Sequence, residues 1–341
     1  MNDIEKELLE QYDLKVYKVK KGRGAFLCET NQGLKLVREY EGAMWHLEIE
    51  QEILSYLREV EGMYVDSYIK NKDGELCSIG YIGEGSKYYK EPSNYVVKDW
   101  YHGRECNLEE KEDIYLAVSL LAKLHKHLRC KSFVQHKSKV IEKNVSLLYE
   151  FEKHNRELKR TKNYIRDKKK KNEFERCVLT TYSNMYEQAI RATEILKQSS
   201  YENMLSKVEE TGCFCHGSYN QHNILMLEEG IAVTNFCKCV MQVQVYDLYQ
   251  FMRKVLEKNR WEEQLGNEML EQYNKVLSIS DEEYKVLYAL FCYPEKYWKQ
   301  INYYYNNNKC WIPQRNMEKL VKATSQDEEK NRFLATIFQS T

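Results

Sequence analysis

The chain has 341 residues, with 52 Lys+Arg against 52 Asp+Glu, so its formal net charge is zero. It can bury one large or two medium cores, and charge balance excludes a global pull toward nucleic acid or an anionic membrane. Its mean hydropathy is −0.72. Asp3, Glu5 and Glu7 stand where a signal peptide needs a basic start, and no 18-residue apolar run marks a membrane span, so an intracellular protein is expected.

The first hundred residues carry strand signals. Leu14 to Lys20, Ala25 to Thr30 and Leu34 to Tyr40 are short β-rich runs, separated by Gly22-Arg23-Gly24 and Asn31-Gln32-Gly33. Turn residues between such runs predict consecutive hairpins. A helix is expected over Trp45 to Val60, where Leu47, Ile53, Leu54 and Leu57 recur at helical spacing. Glu75 to Gly80 and Asn94 to Asp99 are two further strand candidates.

Beyond Asp99 the pattern turns helical. Asn107-x-x-Glu110 has the form of a capping box. It precedes Ile114, Ala117, Val118, Leu121, Leu124 and Leu128 on one face. Ser280-x-x-Glu283 forms a second box ahead of Tyr284, Leu287, Tyr288 and Phe291. Between them lies a strand–loop–strand island, residues 212–245. The plan is α+β and bilobal: a small antiparallel-sheet lobe over 1–97, then a mainly helical lobe over 98–341 that contains the 212–245 hairpin. Few prolines (three) and many Lys, Glu and Leu residues agree with the helical content.

Two other features have plain readings. Residues 152–176 carry eleven Lys/Arg against five Asp/Glu, which fits a solvated helix face or connection better than an anion patch. The chain has eleven cysteines, and Cys213-x-Cys215 and Cys237-x-Cys239 place paired thiols on strand faces. Four thiolates could hold zinc, but the usual C-x2-C spacing is absent, and core packing is the preferred reading.

The chemistry concentrates in Cys215-His216-Gly217-Ser218-Tyr219-Asn220-Gln221-His222-Asn223, followed by Thr234-Asn235-Phe236. Kinase-type phosphoryl transfer uses an Asp five residues before an Asn, then a strand ending in a metal-binding Asp. Ser218 and Asn223 keep that separation, and Asn235 stands in the third place. The spacing survives while both acids are gone.

In these residues the chain resembles the aminoglycoside phosphotransferase-like kinases, whose loop reads H-G-D-x-x-x-x-N. It is similar more closely to the CotS-type spore coat proteins. That likeness rests on Asp99-Trp100-Tyr101-His102-Gly103-Arg104-Glu105-Cys106, Leu121-Ala122-Lys123-Leu124-His125 and Tyr246-Asp247-Leu248-Tyr249-Gln250-Phe251-Met252-Arg253-Lys254. It continues through Tyr293-Pro294-Glu295-Lys296-Tyr297-Trp298 and Trp311-Ile312-Pro313-Gln314, spanning about Gly33 to Gln314.

The resemblance implies roles residue by residue. His216 and Asn223 match; Ser218 replaces the general base, and Asn235 the metal-binding Asp. Arg38 falls where a phosphate-contacting Lys is usual, with Lys35 as the alternative, and Glu50 is its expected acidic partner ahead of Glu48 and Glu52. Gly22 and Gly24 are either a phosphate-covering turn or plain turn residues. His216 is expected to orient the loop by bonding Asp247. Ser218, Asn223 and Asn235 should converge at the base of an interlobe cleft, with Arg38 and Glu50 above.

A missing general base costs about 10^2 to 10^4 in rate. A neutral amide is also a poor ligand for a hard Mg2+. The expected function is therefore a silent, pseudokinase-like structural or interaction protein. It would be synthesised in the mother-cell cytoplasm, would assemble with other spore coat proteins, and would hold ATP and Mg weakly if at all. The alternative is an ATP/Mg-dependent small-molecule phosphotransferase with atypical residues, its substrate unassigned.

Overall fold

The computed structural model describes residues 7–22, 24–81, 92–129, 139–141, 144–306 and 312–339. Arg23 and Trp311, named above, lie outside the described residues. The chain divides into two units. One is drawn from Met1–Asn107, Ser132–Val140 and His216–Cys239, the other from Leu108–Lys131, Ile141–Cys215 and Val240–Thr341. The loop segment 216–239 thus groups with the first unit, whereas the sequence reading assigned 212–245 to the helical portion.

In the first unit, strands β1 (Val16–Gly22), β2 (Ala25–Thr30) and β3 (Gly33–Glu39) follow one another through tight turns. Gly24 and Gly33 supply the left-handed turn positions, at φ 73° and 87°. Helix α1 (Met44–Glu61) comes next, ending on Gly62 at φ 60°. It is followed by β4 (Tyr64–Val65), β5 (Tyr68–Ile69), β6 (Ser78–Gly80) and β7 (Ser93–Asp99). The sheet order is β1-β2-β3-β7-β5, with β6 also on β7 and every pairing antiparallel. The strand expected from Glu75 is shorter than its sequence signal, beginning at Ser78.

The side-chain alternation of this sheet decides what reaches the site. Val37, Cys28, Val97 and Tyr95 pack with Leu8, Leu9 and Tyr12 in one core. In the β3–β7 register Arg38 faces Val96 and Leu36 faces Lys98. Those four residues therefore share the opposite face, since side chains alternate along a strand.

The first unit also holds a small second sheet in the order β4-β11-β10-β8, from β8 (Arg104–Glu105), β10 (Ile224–Met226) and β11 (Ile231–Val233).

The second unit is helical. Helix α2 (Lys111–Leu128) buries Ile114, Ala117, Val118, Leu121, Leu124 and Leu128, as its periodicity predicts. Its start differs: Glu110 occupies the N-cap position without a side-chain cap, so Asn107 lies outside the helix. The Ser280–Glu283 box does cap Asp281–Cys292, and a second box that was not anticipated, Asn172–Glu175, opens α4 (Glu173–Gln198). Residues 152–176 lie on α3 (Leu147–Asp167), its connection and the start of α4, with most of their Lys and Arg side chains exposed. After α5 (Tyr201–Thr211), strands β9 (Phe214–Cys215) and β12 (Val240–Met241) pair in this unit, and α6 (Val245–Lys258) follows. Among the described residues no helix is long and apolar enough to cross a membrane.

Candidate functional site

The β10–β11 hairpin brings the loop residues together. Ile224 pairs with Val233, and the Thr234 amide donates to the Asn223 carbonyl at 2.9 Å, so Asn223 and Asn235 flank the open end of one ladder. Their side chains then meet: Asn235 Nδ2 donates to Asn223 Oδ1 at 2.7 Å. Asn223 Nδ2 in turn donates to the Ser218 carbonyl at 2.9 Å, which Asn220 Nδ2 also reaches at 2.6 Å. Ser218, Asn223 and Asn235 therefore converge.

Two backbone requirements hold this loop in shape. Gly217 sits at φ 70°, and a Cβ there would lie 1.9 Å from the Lys238 carbonyl oxygen. Only glycine fits. Asn235 adopts φ 64°, a left-handed conformation that Asn tolerates better than most residues. Its N–H is anchored by the Asp66 carboxylate at 3.0 Å.

His216 is fully buried and braced on both ring nitrogens. Nε2 donates to the Thr234 carbonyl at 3.0 Å, while Nδ1 accepts from the Ser218 amide at 3.1 Å. A carbonyl demands a donor and an amide N–H an acceptor, so these partners fix the neutral Nε2–H tautomer. The ring is thus an orienting strut between loop and strand. Asp247 lies in the second unit, buried in the first turn of α6, with a carboxylate oxygen 3.3 Å from His125 Nε2.

Arg38 of β3 reaches the same cluster. Its Nη1 donates to Asn235 Oδ1 at 2.7 Å. Lys35, the alternative, points to the other face and pairs with Asp99 at 2.7 Å. Glu50 is fully buried, and among the described residues it pairs with Lys98 of β7, at 2.7 Å, rather than with Arg38. The same ammonium meets Asp66 at 3.0 Å and lies 4.1 Å above the Tyr68 ring. Burial works against the charge on Lys98, and Asp66 and Glu50 overcome it, so its pKa is raised. Burial likewise raises Asp66, with Lys98 opposing. Sequence reasoning missed Lys98 and Asp66; the only signal was a charged residue on the apolar face of Tyr95-Val96-Val97-Lys98.

Gly22 and Gly24 end the β1–β2 hairpin, where a Cβ on either would meet open space. The paired cysteines correct one expectation. Cys237 lies in a turn rather than on a strand, while Cys215 and Cys239 are buried thiols that burial pushes well above the ordinary thiol pKa. None of the nine described cysteines is joined in a disulfide. The one group of metal-ligating side chains close enough to share an ion, among the described residues, is His125, Cys215 and Asp247. No four-thiolate site forms there.

Magnesium would have to be held by Asn223 and Asn235, and this donor set does not fit it. Both side-chain oxygens are neutral, and each already accepts a hydrogen bond. A guanidinium also occupies the space beside them. At about 4 Å and an effective dielectric near 20, two unit charges repel by roughly 4 kcal/mol, and a divalent ion doubles that. The cluster can present a cation and several donors to an anion. Among the described residues the side chains that bond Ser218 are those of His216, Asn220 and Asn223, none of them a carboxylate.

Fold and site together define a kinase-like architecture of the aminoglycoside phosphotransferase type. An aminoglycoside phosphotransferase from Alicyclobacillus acidocaldarius superposes with a TM-score of 0.83 at 17% identity, covering 98% of this chain and 95% of that one. An AMP-bound spectinomycin phosphotransferase gives 0.68 at 12% identity, covering 97% of each chain. A microcompartment-associated aminopropanol kinase gives 0.58 at 14% identity, covering 98% of each. Residues 5–337 match the family described as spore coat putative kinase YutH, and the chain belongs to that family.

Proposed function

We propose that this protein is a catalytically silent, pseudokinase-like component of the spore coat, made in the mother-cell cytoplasm and acting through binding to other coat proteins. The family supplies the coat association. The observation that supports silence is the closed chain Arg38–Asn235–Asn223–Ser218, in which every group expected to hold metal or base is neutral and hydrogen-bonded to its neighbour. A kinase needs two carboxylates there.

The test is ADP release from ATP and Mg2+ in the presence of aminoglycosides, choline, amino alcohols or sugars. The expected result is turnover no greater than that of the Asn223→Ala variant. Turnover that Asn223→Ala abolishes would overturn the reading.

One observation favours a second reading, a phosphotransferase with a relocated acid. Asp66 is a fully buried carboxylate on the Asn235 amide, and its Oδ1 accepts no hydrogen bond among the described residues. Under that reading Asp66→Asn, rather than Asp247→Asn, abolishes turnover.

A further inference from the structure

The misfit with Mg2+ has a positive counterpart. We infer that the Arg38 guanidinium takes the place of the divalent cation and makes this site a metal-independent receptor for a phosphate-bearing anion. The inference rests on the catalytic silence proposed above.

Three observations carry it. First, Arg38 forms no ion pair with a carboxylate among the described residues, while the nearby acids Glu50 and Asp66 are both held by Lys98. Second, among the described residues only Nη1 is engaged, which leaves Nε and Nη2 for a ligand, and a guanidinium fork suits two oxygens of one phosphate. Third, the side chain is half-buried, anchored through Asn235 to Asn223, so its charge is held in place rather than sweeping through solvent.

Local charge explains why no metal is needed. A site with two ionised acids repels a phosphate until a divalent ion neutralises them. Here Ser218 and Asn235 are neutral, so Arg38 leaves the cluster positive by itself. Behind it, Glu50 and Asp66 are both paired with the Lys98 ammonium, at 2.7 and 3.0 Å. Added Mg2+ would meet the guanidinium as a like charge. It would also chelate the ligand, lowering the negative charge that Arg38 attracts.

The experiment is calorimetric titration of the full chain with ADP and with inorganic phosphate, in EDTA and again in excess Mg2+. Expected are ADP binding in EDTA, weakening of about threefold or more on adding Mg2+, and falling affinity as salt rises. Arg38→Met should lose about tenfold or more, as a charge-assisted hydrogen-bonding group is removed, and Arg38→Lys less. Failure of millimolar ADP and phosphate to bind in EDTA would overturn the inference, as would tightening by Mg2+. The native protein's metal dependence decides this even if Arg38→Met fails to fold. A silent protein without metal-free binding would refute this inference alone, whereas Mg2+-dependent turnover would refute the function proposed above.

Discussion

Glu50 of α1 and Lys98 of β7 meet at 2.7 Å in a space closed to solvent, and Asp66 joins the same ammonium at 3.0 Å. Two carboxylates share one cation, and the outer oxygens Glu50 Oε2 and Asp66 Oδ1 accept no hydrogen bond among the described residues. Removing the cation leaves two buried acids uncompensated. Lys98→Met should cost about 3–5 kcal/mol in urea unfolding at pH 7. Burial already raises Asp66, and without Lys98 the rise must grow. A carboxyl whose folded pKa exceeds its unfolded value stabilises at low pH and loses that stabilisation as pH rises through the folded pKa. The Lys98→Met deficit should therefore shrink toward pH 4. A deficit that grows with acidity would contradict the buried-acid account.

That triad also marks the limit of what the sequence made legible. Ser218, Asn223 and Asn235 could be placed together because one hairpin fixes their spacing within eighteen residues of chain. Helix α2 was readable because its apolar stripe is regular. Lys98 was not, because its face depends on the β3–β7 register and its partners lie on α1 and beyond β4. A lysine after two valines looks like a solvent-facing strand end until Glu50 and Asp66 are set beside it. Arg38 was found, but its bond to Asn235 spans 197 residues and could not be read from local pattern.

Gly217 and Gly24 offer a matched pair of substitutions. Both have positive φ, 70° and 73°, so alanine at either site carries the left-handed penalty of roughly 1–2 kcal/mol. Around Gly24 the space is open, whereas at Gly217 a Cβ would overlap the Lys238 carbonyl at 1.9 Å. Gly24→Ala should stay near that penalty in thermal melts. Gly217→Ala should exceed it by about 1–3 kcal/mol, since backbone must move. Equal costs would mean that the 216–239 loop is not packed as described.

His154 gives the second unit a distinct acid response. It stacks on Trp298 with centroids 3.4 Å apart, and Trp298 Nε1 donates to Glu157. Burial, followed by neighbouring Lys153, lowers the His154 pKa to about 4. The folded state thus binds fewer protons than the unfolded state between pH 6.5 and 4, and stability must fall as pH drops through that window. Thermal melts in steps from pH 7 to 4 should show the decline. His154→Phe should flatten that part of the profile while keeping the stack. An unchanged slope would assign the decline to other groups.

The final prediction rebuilds the missing chemistry in steps. Ser218→Asp alone places a base on the loop but leaves Asn235 neutral and tied to Arg38, so phosphoryl transfer should remain undetectable. Asn235→Asp alone supplies a carboxylate, which should pair with Arg38 and raise stability by about 0.5–1 kcal/mol at this half-buried position. It should also reverse the effect of Mg2+ on nucleotide binding from weakening to strengthening, because a hard cation prefers that oxygen. Turnover should require the double variant, with both proton acceptor and metal ligand present, and an acceptor molecule the scaffold still admits. Because the two residues serve one step, neither single change is expected to give a fraction of the combined gain. Detectable transfer by Ser218→Asp alone, lost again on Asp66→Asn, would show that Asp66 rather than position 235 carries the metal.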